Sequence, residues 1–362
     1  MTKIPRPEHP RPQMYRESWI NLNGEWQFEI DHGKSGRDRG LYKNTELNSS
    51  IIVPFCPESE LSGINNKDFM ECVWYKRKVD IKNDWLKDGR RTILHIDACD
   101  YHTEVWINGD SVGTHIGGYS SFSFDITEKL IKGENTITVC ATDLLRTGEQ
   151  PGGKQCREFF SRVCSYTRTT GIWQTVWLEN VASSSIKSFK CTPDIYSSSI
   201  YFDVLCRNAN GKKVKATAYF AGKEVGSCLA YIEGKHARFN MELKELHLWS
   251  CETPNLYDLV LELDNDKMSG YFGMRSTHYH GNKFYLNNQV VFQRLILDQG
   301  FYPDGIYTAP TDQELINDIK RSMDMGFNGA RLHQKVFEPR FLYHCDVLGY
   351  LVWEEHANWE LN

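Results

Sequence analysis

One change of hydrophobic period divides this chain. Up to about residue 282, apolar and polar side chains alternate in short runs; from Lys283 onward, apolar strands alternate with stretches of helical period. Side chains alternate between the two faces of a strand but return to one helix face every three to four residues, so the two patterns belong to different fold classes. At 362 residues the chain is too long for one ordinary domain. The pattern predicts three domains, over 1–182, 183–282 and 283–362.

The first stretch reads as many short strands. In "TEVWINGDSVGTH", Thr103, Val105 and Ile107 fall on one face and Trp106 on the other. Asn108-Gly109 supplies a tight turn and Val112 begins the return strand. "NTITVCATD" alternates Ile137, Val139 and Ala141, and "TTGIWQTVWLENV" alternates Ile172, Val176 and Leu178. With no helical period of comparable strength, this predicts an all-β sandwich of the jelly-roll kind. In the second stretch, "SIYFDVLCR", "KVKATAYFAGKEVG" and "LYDLVLELD" are strands separated by turns such as Asn210-Gly211, about seven strands in all, which suits an immunoglobulin-like sandwich. "THYH" puts His278 and His280 on one face, but without a third ligand they predict no metal site.

In the third stretch, "KFYLNNQVVFQRLILDQG" gives a hairpin turning at Asn287-Asn288 and then an apolar strand ending at Asp298. Thr311, with Glu314 three residues on, is a capping box that starts a helix. Leu315, Ile319 and Met323 form its apolar stripe, with Ile316 beside them, and Gly326 ends it. A strand ending at His333 follows. A helix from about Pro339 to Leu348 comes next, with Phe341, Leu342 and Cys345 inward and Gly349 as its stop, and then the strand "YLVWEE". The order β-α-β-α-β predicts parallel strands joined by right-handed crossovers. Polar residues recur at the strand ends: Asp298 and Gln299, Arg331 and His333, then Glu354 or Glu355 with Asn358. Parallel barrels place binding and catalytic groups there.

Glu354 and Glu355 cannot be a catalytic pair while the strand stays regular, because neighbours on a strand face opposite ways. Glycoside hydrolysis needs two carboxyl groups facing one substrate, about 5–5.5 Å apart for retention and about 6.5–9.5 Å for inversion. Asp298 with Glu354 is the minor reading, an active short enzyme. Composition narrows the rest. Forty-two basic against 47 acidic residues give a net charge of -5 and no basic face for nucleic acid. No apolar run approaches a membrane span, and "MTKIPRPEHPRPQMYRESW" has no secretory h-region, so a cytoplasmic protein with no membrane partner is expected. Eleven scattered cysteines without a C-x-x-C pair predict reduced, mostly buried thiols. Most of the ten tryptophans suit sandwich cores, although sugar stacking uses the same rings.

Several stretches resemble glycoside hydrolase family 2, which contains β-galactosidases, β-glucuronidases and β-mannosidases. They are "HPRPQMYRESWINLNGEWQFEID", "EVWINGDSVGTHIGGYSSFSFDIT", "TTGIWQTVWLENV", "LDQGFYPDGIYTAPTD", "MGFNGARLHQK" and "LGYLVWEEHANW", and together they span nearly the whole chain. The resemblance implies a jelly roll, an immunoglobulin-like sandwich and the first part, about three β/α units, of a TIM (β/α)8 barrel. It implies retaining hydrolysis of terminal β-linked sugars without a cofactor or a metal. The acid/base Glu, in an Asn-Glu pair, would follow the fourth barrel strand and the nucleophile Glu the seventh, so both lie beyond Asn362 and no catalytic residue is assigned here. The expectation is a truncated chain, inactive or nearly so alone. Its third strand would present an unpaired edge, since a closed barrel takes about 250 residues. Asp298, Arg331, His333, Glu354 and Asn358 are the substrate-binding candidates; for each the alternative is a structural ion pair or hydrogen bond at the barrel mouth. "WEEHANW" departs from relatives, which tend toward one acid, a hydrophobic residue and Pro-Asn. In "CSYTRTTGIW", Ser165 or Tyr166 stands where some relatives send a carboxylate. Family members often assemble through their sandwiches, so a homo-oligomer is compatible. A carbohydrate-binding protein without catalysis, carrying a remnant barrel segment, is the alternative function.

Overall fold

The computed structural model describes residues 4–43 and 45–359. Over the first stretch, two antiparallel sheets share one core. The six-stranded sheet runs in the order Ser49–Val53, Gly24–Ile30, Cys72–Ile81, Gly133–Thr142, His102–Ile107 and Asp110–Ile116. The four-stranded sheet runs Trp19–Asn21, Val176–Val181, Arg91–Ile96 and Phe122–Asp125. Trp26, Phe28, Tyr75, Leu94, Val105, Ile137, Val139 and Leu178 fill the space between them. The expected alternation holds: Thr103, Val105 and Ile107 are fully buried on the inner face. Trp106 packs on the outer face with Leu41, Leu47 and Trp74 under the segment that follows Ile30. The return strand begins at Asp110, ahead of the expected Val112, because Asn108 and Gly109 both take positive φ and close a two-residue turn. Val112 falls at a register shift, where Val105 pairs with Gly113 and Trp106 with Ser111.

Seven antiparallel strands form the second sandwich. Ser185–Asp194, Ser199–Arg207 and His236–Glu242 make one sheet; Lys223–Tyr231, Lys213–Phe220, Tyr257–Leu263 and Asp266–Phe272 make the other. Phe202, Val204, Ala216, Leu259 and Leu261 are central to its core. A small sheet of Thr277–His280, Lys283–Leu286 and Gln289–Val291 follows, turning at Asn287 and Asn288, both with positive φ.

Beyond it lie three parallel strands, Leu295–Asp298, Gly329–Leu332 and Leu351–Glu354, connected through helices Asp312–Asp324 and Pro339–Leu348. Ile296, Ala330, Leu332 and Val352 pack with Leu315, Ile319, Phe341 and Cys345 of the helices. Leu297, Arg331 and Trp353, one residue out of phase, point to the opposite face and are exposed. Thr311 caps the first helix by accepting from the Glu314 N–H at 3.2 Å. The other arm of the capping box is replaced, since the Glu314 carboxylate takes Asn317 Nδ2 at 3.1 Å and pairs with Arg321. Met323 is exposed instead of completing the stripe; Ser322 is the buried residue on that turn, bonded to the Tyr350 hydroxyl at 2.6 Å. Gly326 closes the helix as expected, with Phe327 N–H on Ser322 C=O and its own N–H on Met323 C=O. Among the described residues no helix is long and apolar enough to cross a membrane, and no cysteine is in a disulfide.

The parallel sheet is fastened to what precedes it. The Arg6 guanidinium grips the Glu338 carboxylate at 2.6 and 3.1 Å, Arg340 donates to His9 C=O at 2.9 Å, and Thr308 Oγ1 donates to Trp173 C=O at 2.5 Å.

Candidate functional site

Polar side chains converge just past the ends of the second and third parallel strands. Arg331 leaves the second strand on the face away from the helices. Glu355, the first residue after the third strand, meets it. Glu355 Oε2 accepts from Arg331 Nε at 3.2 Å and from its terminal nitrogen at 3.0 Å. Glu355 Oε1 accepts from Gln334 N–H at 2.9 Å and lies 3.4 Å from His333 Nε2. Burial alone would raise this carboxyl, but the bonds from Arg331 and Gln334 outweigh it and hold Glu355 below its ordinary value. For His333, burial wins over the nearby carboxylate and lowers its pKa, which favours the neutral ring. Its Nδ1 is buried with no hydrogen-bond partner among the described residues.

Gln334 holds the following turn in place. Its backbone has a φ of +56°, its Nε2 donates to Asn358 Oδ1 at 2.8 Å, and its Oε1 accepts from the N–H groups of Asn358 and Trp359, both at 2.9 Å. The Trp359 indole stands edge-on to the His333 ring at 5.3 Å. From the first sandwich, Lys154 places Nζ 3.7 Å from the centre of the same indole, and Gly152 N–H donates to Trp359 C=O at 2.9 Å. The group is therefore built by two strand ends and one sandwich loop, and it brings together a guanidinium, a neutral imidazole, two amides and a carboxylate.

Three of the five expected residues come together: Arg331, His333 and Asn358. Asp298 and Glu354 do not join them. Both pair in register with Leu332, whose side chain packs toward the helices, so both face the helix side. Asp298 accepts from Gly300 N–H at 2.8 Å and burial raises its carboxyl, while Glu354 accepts from Phe337 N–H at 3.0 Å. One strand lies between them, which separates their backbones by about 9–10 Å. Both therefore face away from the Arg331–Glu355 cluster. Glu355, not Glu354, is the carboxylate that meets Arg331 and His333.

Sequence reasoning missed Gln334, Lys154 and Trp359. "RLHQK" could have offered Gln334 as the residue after a strand end; nothing in "PGGK" marks Lys154, whose role depends on a loop crossing from another sandwich. Tyr166, at the place where some relatives send a carboxylate, packs its ring on Phe301 at 4.8 Å. His278 and His280 are exposed, His278 stacking on Tyr285, and no group among the described residues suits a metal ion.

Residues 20–178 match the family profile described as "Glycosyl hydrolases family 2, sugar binding domain", and residues 184–275 match "Glycosyl hydrolases family 2". The chain belongs to glycoside hydrolase family 2. A putative beta-glucuronidase of Formosa agariphila is 28% identical over 350 residues, covering 92% of this chain and 40% of that protein. A beta-galactosidase of Thermoanaerobacterium thermosulfurigenes is 26% identical, covering 94% of this chain and 49% of its own length. The chain thus spans about half the length, or less, of these relatives. The same fold occurs in the beta-glucuronidase of Bifidobacterium dentium complexed with coumarin-3-O-glucuronide, at a TM-score of 0.82, 20% identity and coverage of 95% of this chain and 62% of that one. It occurs also in the apo beta-glucuronidase of Ruminococcus gnavus, at 0.83, 18%, 98% and 61%.

Proposed function

We propose that this chain is the amino-terminal portion of a retaining glycosidase acting on terminal β-linked sugars, glucuronides or galactosides by analogy with the relatives' names. In this reading residues 1–182 are a jelly-roll domain, 183–282 an immunoglobulin-like domain, and 283–362 the first three strand-helix units of a (β/α)8 barrel. The observation that carries the reading is the Arg331–His333–Glu355 cluster at the strand ends. These residues, with Asn358, form part of the sugar pocket: Arg331 and His333 donate to hydroxyls, and Glu355 keeps Arg331 oriented. The two catalytic glutamates come from later strand-helix units. Support comes from the first and third parallel strands, each of which has a strand partner on one side only among the described residues.

The test assays residues 1–362 on chromogenic β-glucuronides and β-galactosides and titrates the free sugars by ligand-observed NMR. Expected are no turnover and weak binding that Arg331→Ala removes. Turnover by this chain alone, abolished by Glu355→Gln, would overturn the assignment of the catalytic pair to later units.

A further inference from the structure

On the outer face of the six-stranded sheet two thiols touch. Cys72 begins the strand Cys72–Ile81 and Cys140 lies in its neighbour Gly133–Thr142; the register pairs Cys72 with Thr142 and Cys140 with Trp74, so the cysteines are diagonal neighbours on one face. Their sulfurs are 3.7 Å apart, with room for one S–H to point at the other sulfur. Trp74, Trp106 and Leu41 surround them, and both are buried. The burial is one loop deep. Asp31 anchors this loop, accepting from Ser35 N–H at 3.1 Å, Gly36 N–H at 2.7 Å and Trp74 Nε1 at 3.2 Å, and its carboxylate is 3.9 Å from Cys72 Sγ. Arg37, on the loop, pairs with Glu104 on the strand beside Cys140, and the Arg37 side chain is largely exposed. No other two cysteines among the described residues show such a sulfur contact.

We propose that Cys72 and Cys140 form a redox-active dithiol that closes into a cross-strand disulfide when the protein meets a peroxide. The Cys72 sulfur attacks one peroxide oxygen, the O–O bond breaks, and the alcohol or water half leaves, making Cys72 a sulfenic acid. Cys140 sulfur then attacks Cys72 sulfur; the S–O bond breaks and water departs with the Cys140 proton. Two thiols lose two electrons in total and the peroxide gains them. Cys72 Sγ donates to the Asp31 carboxylate at 3.9 Å, so the S–H between the two sulfurs belongs to Cys140, and Asp31 receives the Cys72 proton as that sulfur attacks and passes it to the leaving oxygen. Diagonal neighbours stand about 7–8 Å apart at Cα, beyond the roughly 4.4–6.8 Å usual for a disulfide. The bond therefore draws the strands together, stores strain and is readily reduced, as labile regulatory disulfides are.

The experiment treats residues 1–362 with hydrogen peroxide, blocks free thiols with iodoacetamide under denaturing conditions, and maps peptides without reduction. Expected is one linked peptide pair joining Cys72 to Cys140, with a loss of two hydrogens in the intact mass, reversed by dithiothreitol and absent in Cys72→Ser. A Cys140→Ser protein should instead stop at a Cys72 sulfenic acid that dimedone traps, a readout on a chain whose partner strand still carries Cys72. Cys72 and Cys140 both alkylated after peroxide, or oxygen adducts on exposed Cys164 alone, would overturn the proposal.

Discussion

The second sandwich and the parallel sheet bury their strands by opposite means. In the sandwich two sheets cover each other around Phe202, Val204, Leu259 and Leu261, and Met14 of the amino-terminal segment is the one side chain from outside it that packs on this core among the described residues. The parallel sheet is covered by helices on one face only, and Leu297, Arg331 and Trp353 remain exposed on the other. Its hold on the molecule comes from polar ties, Arg6 to Glu338 and Thr308 to Trp173, and from a small apolar cluster in which Ile306, Tyr307 and Ala357 pack on Cys56, Ala98, Tyr119 and Trp173 of the first sandwich. Within the region, the buried Lys335 ammonium donates to Gly300 C=O at 2.6 Å and Tyr307 C=O at 2.8 Å. Burial pushes the Lys335 amine down to about 8. A closed core is self-sufficient; a half-covered sheet borrows its order from its neighbours.

Four substitutions or conditions press on that difference. Phe202→Ala, in the sandwich core, should cost about 4 kcal/mol, read as a lower urea midpoint for the second sandwich with hydrogen exchange in residues 329–332 unchanged. Arg6→Ala leaves Glu338 without its main cation and should cost about 3 kcal/mol. The loss should appear as faster proteolysis beyond residue 292 while the sandwiches keep their midpoint. If both regions instead melt together in either variant, the chain is one cooperative unit and the contrast disappears.

pH separates the regions a third way. In the first sandwich, burial raises the Glu58 carboxyl from 4.5 to about 7 and that of Asp143 to about 6. A folded-state pKa above the unfolded one means that the folded state binds more protons. The stability from Glu58 is therefore complete below pH 4.5 and lost as pH rises through about 7, on the order of 3 kcal/mol. Glu58→Gln should flatten this decline in thermal scans between pH 5 and 8. Asp312, on the first helix of the parallel region, has the opposite sign: burial opposes ionisation, but Arg340 and His344 prevail and hold its carboxyl well below the usual range. Its contribution is present above the unfolded value and lost on acidification. Last and smallest, Thr311→Ala removes one helix cap and should cost about 1 kcal/mol, detectable as faster exchange at Glu314 N–H with the sandwiches unaffected.

Strand content was legible in the sequence wherever apolar and polar residue types alternate. Ile137, Val139 and Ala141 announced their sheet, although Thr138 and Cys140 between them are buried as well, and the positive-φ pairs Asn108-Gly109 and Asn287-Asn288 announced their turns. The strand Val176–Val181 was legible from Val176 and Leu178, but not its burial at all six positions, because Arg16 and His9 from the amino-terminal segment cover Glu179 and Trp177. At the strand ends the residue types were legible but the facing was not. A one-residue difference in where the third strand stops exchanges Glu354 for Glu355, and only register with Leu332 decides it. Glu58, Asp100 and Asp143 left no sequence trace at all; their proximity depends on two loops and the short strand Cys99–Asp100 meeting inside the first sandwich.

The Arg6–Glu338 pair also fixes a schedule. Its partners are separated by 332 positions. On a ribosome adding about 5–20 residues per second, Glu338 emerges roughly 20–60 s after Arg6, long enough for both sandwiches to fold first. During that interval the amino-terminal strap has its place on the first sandwich and only its own Glu8 to pair with Arg6, and it becomes a latch only when the second helix of the parallel region arrives.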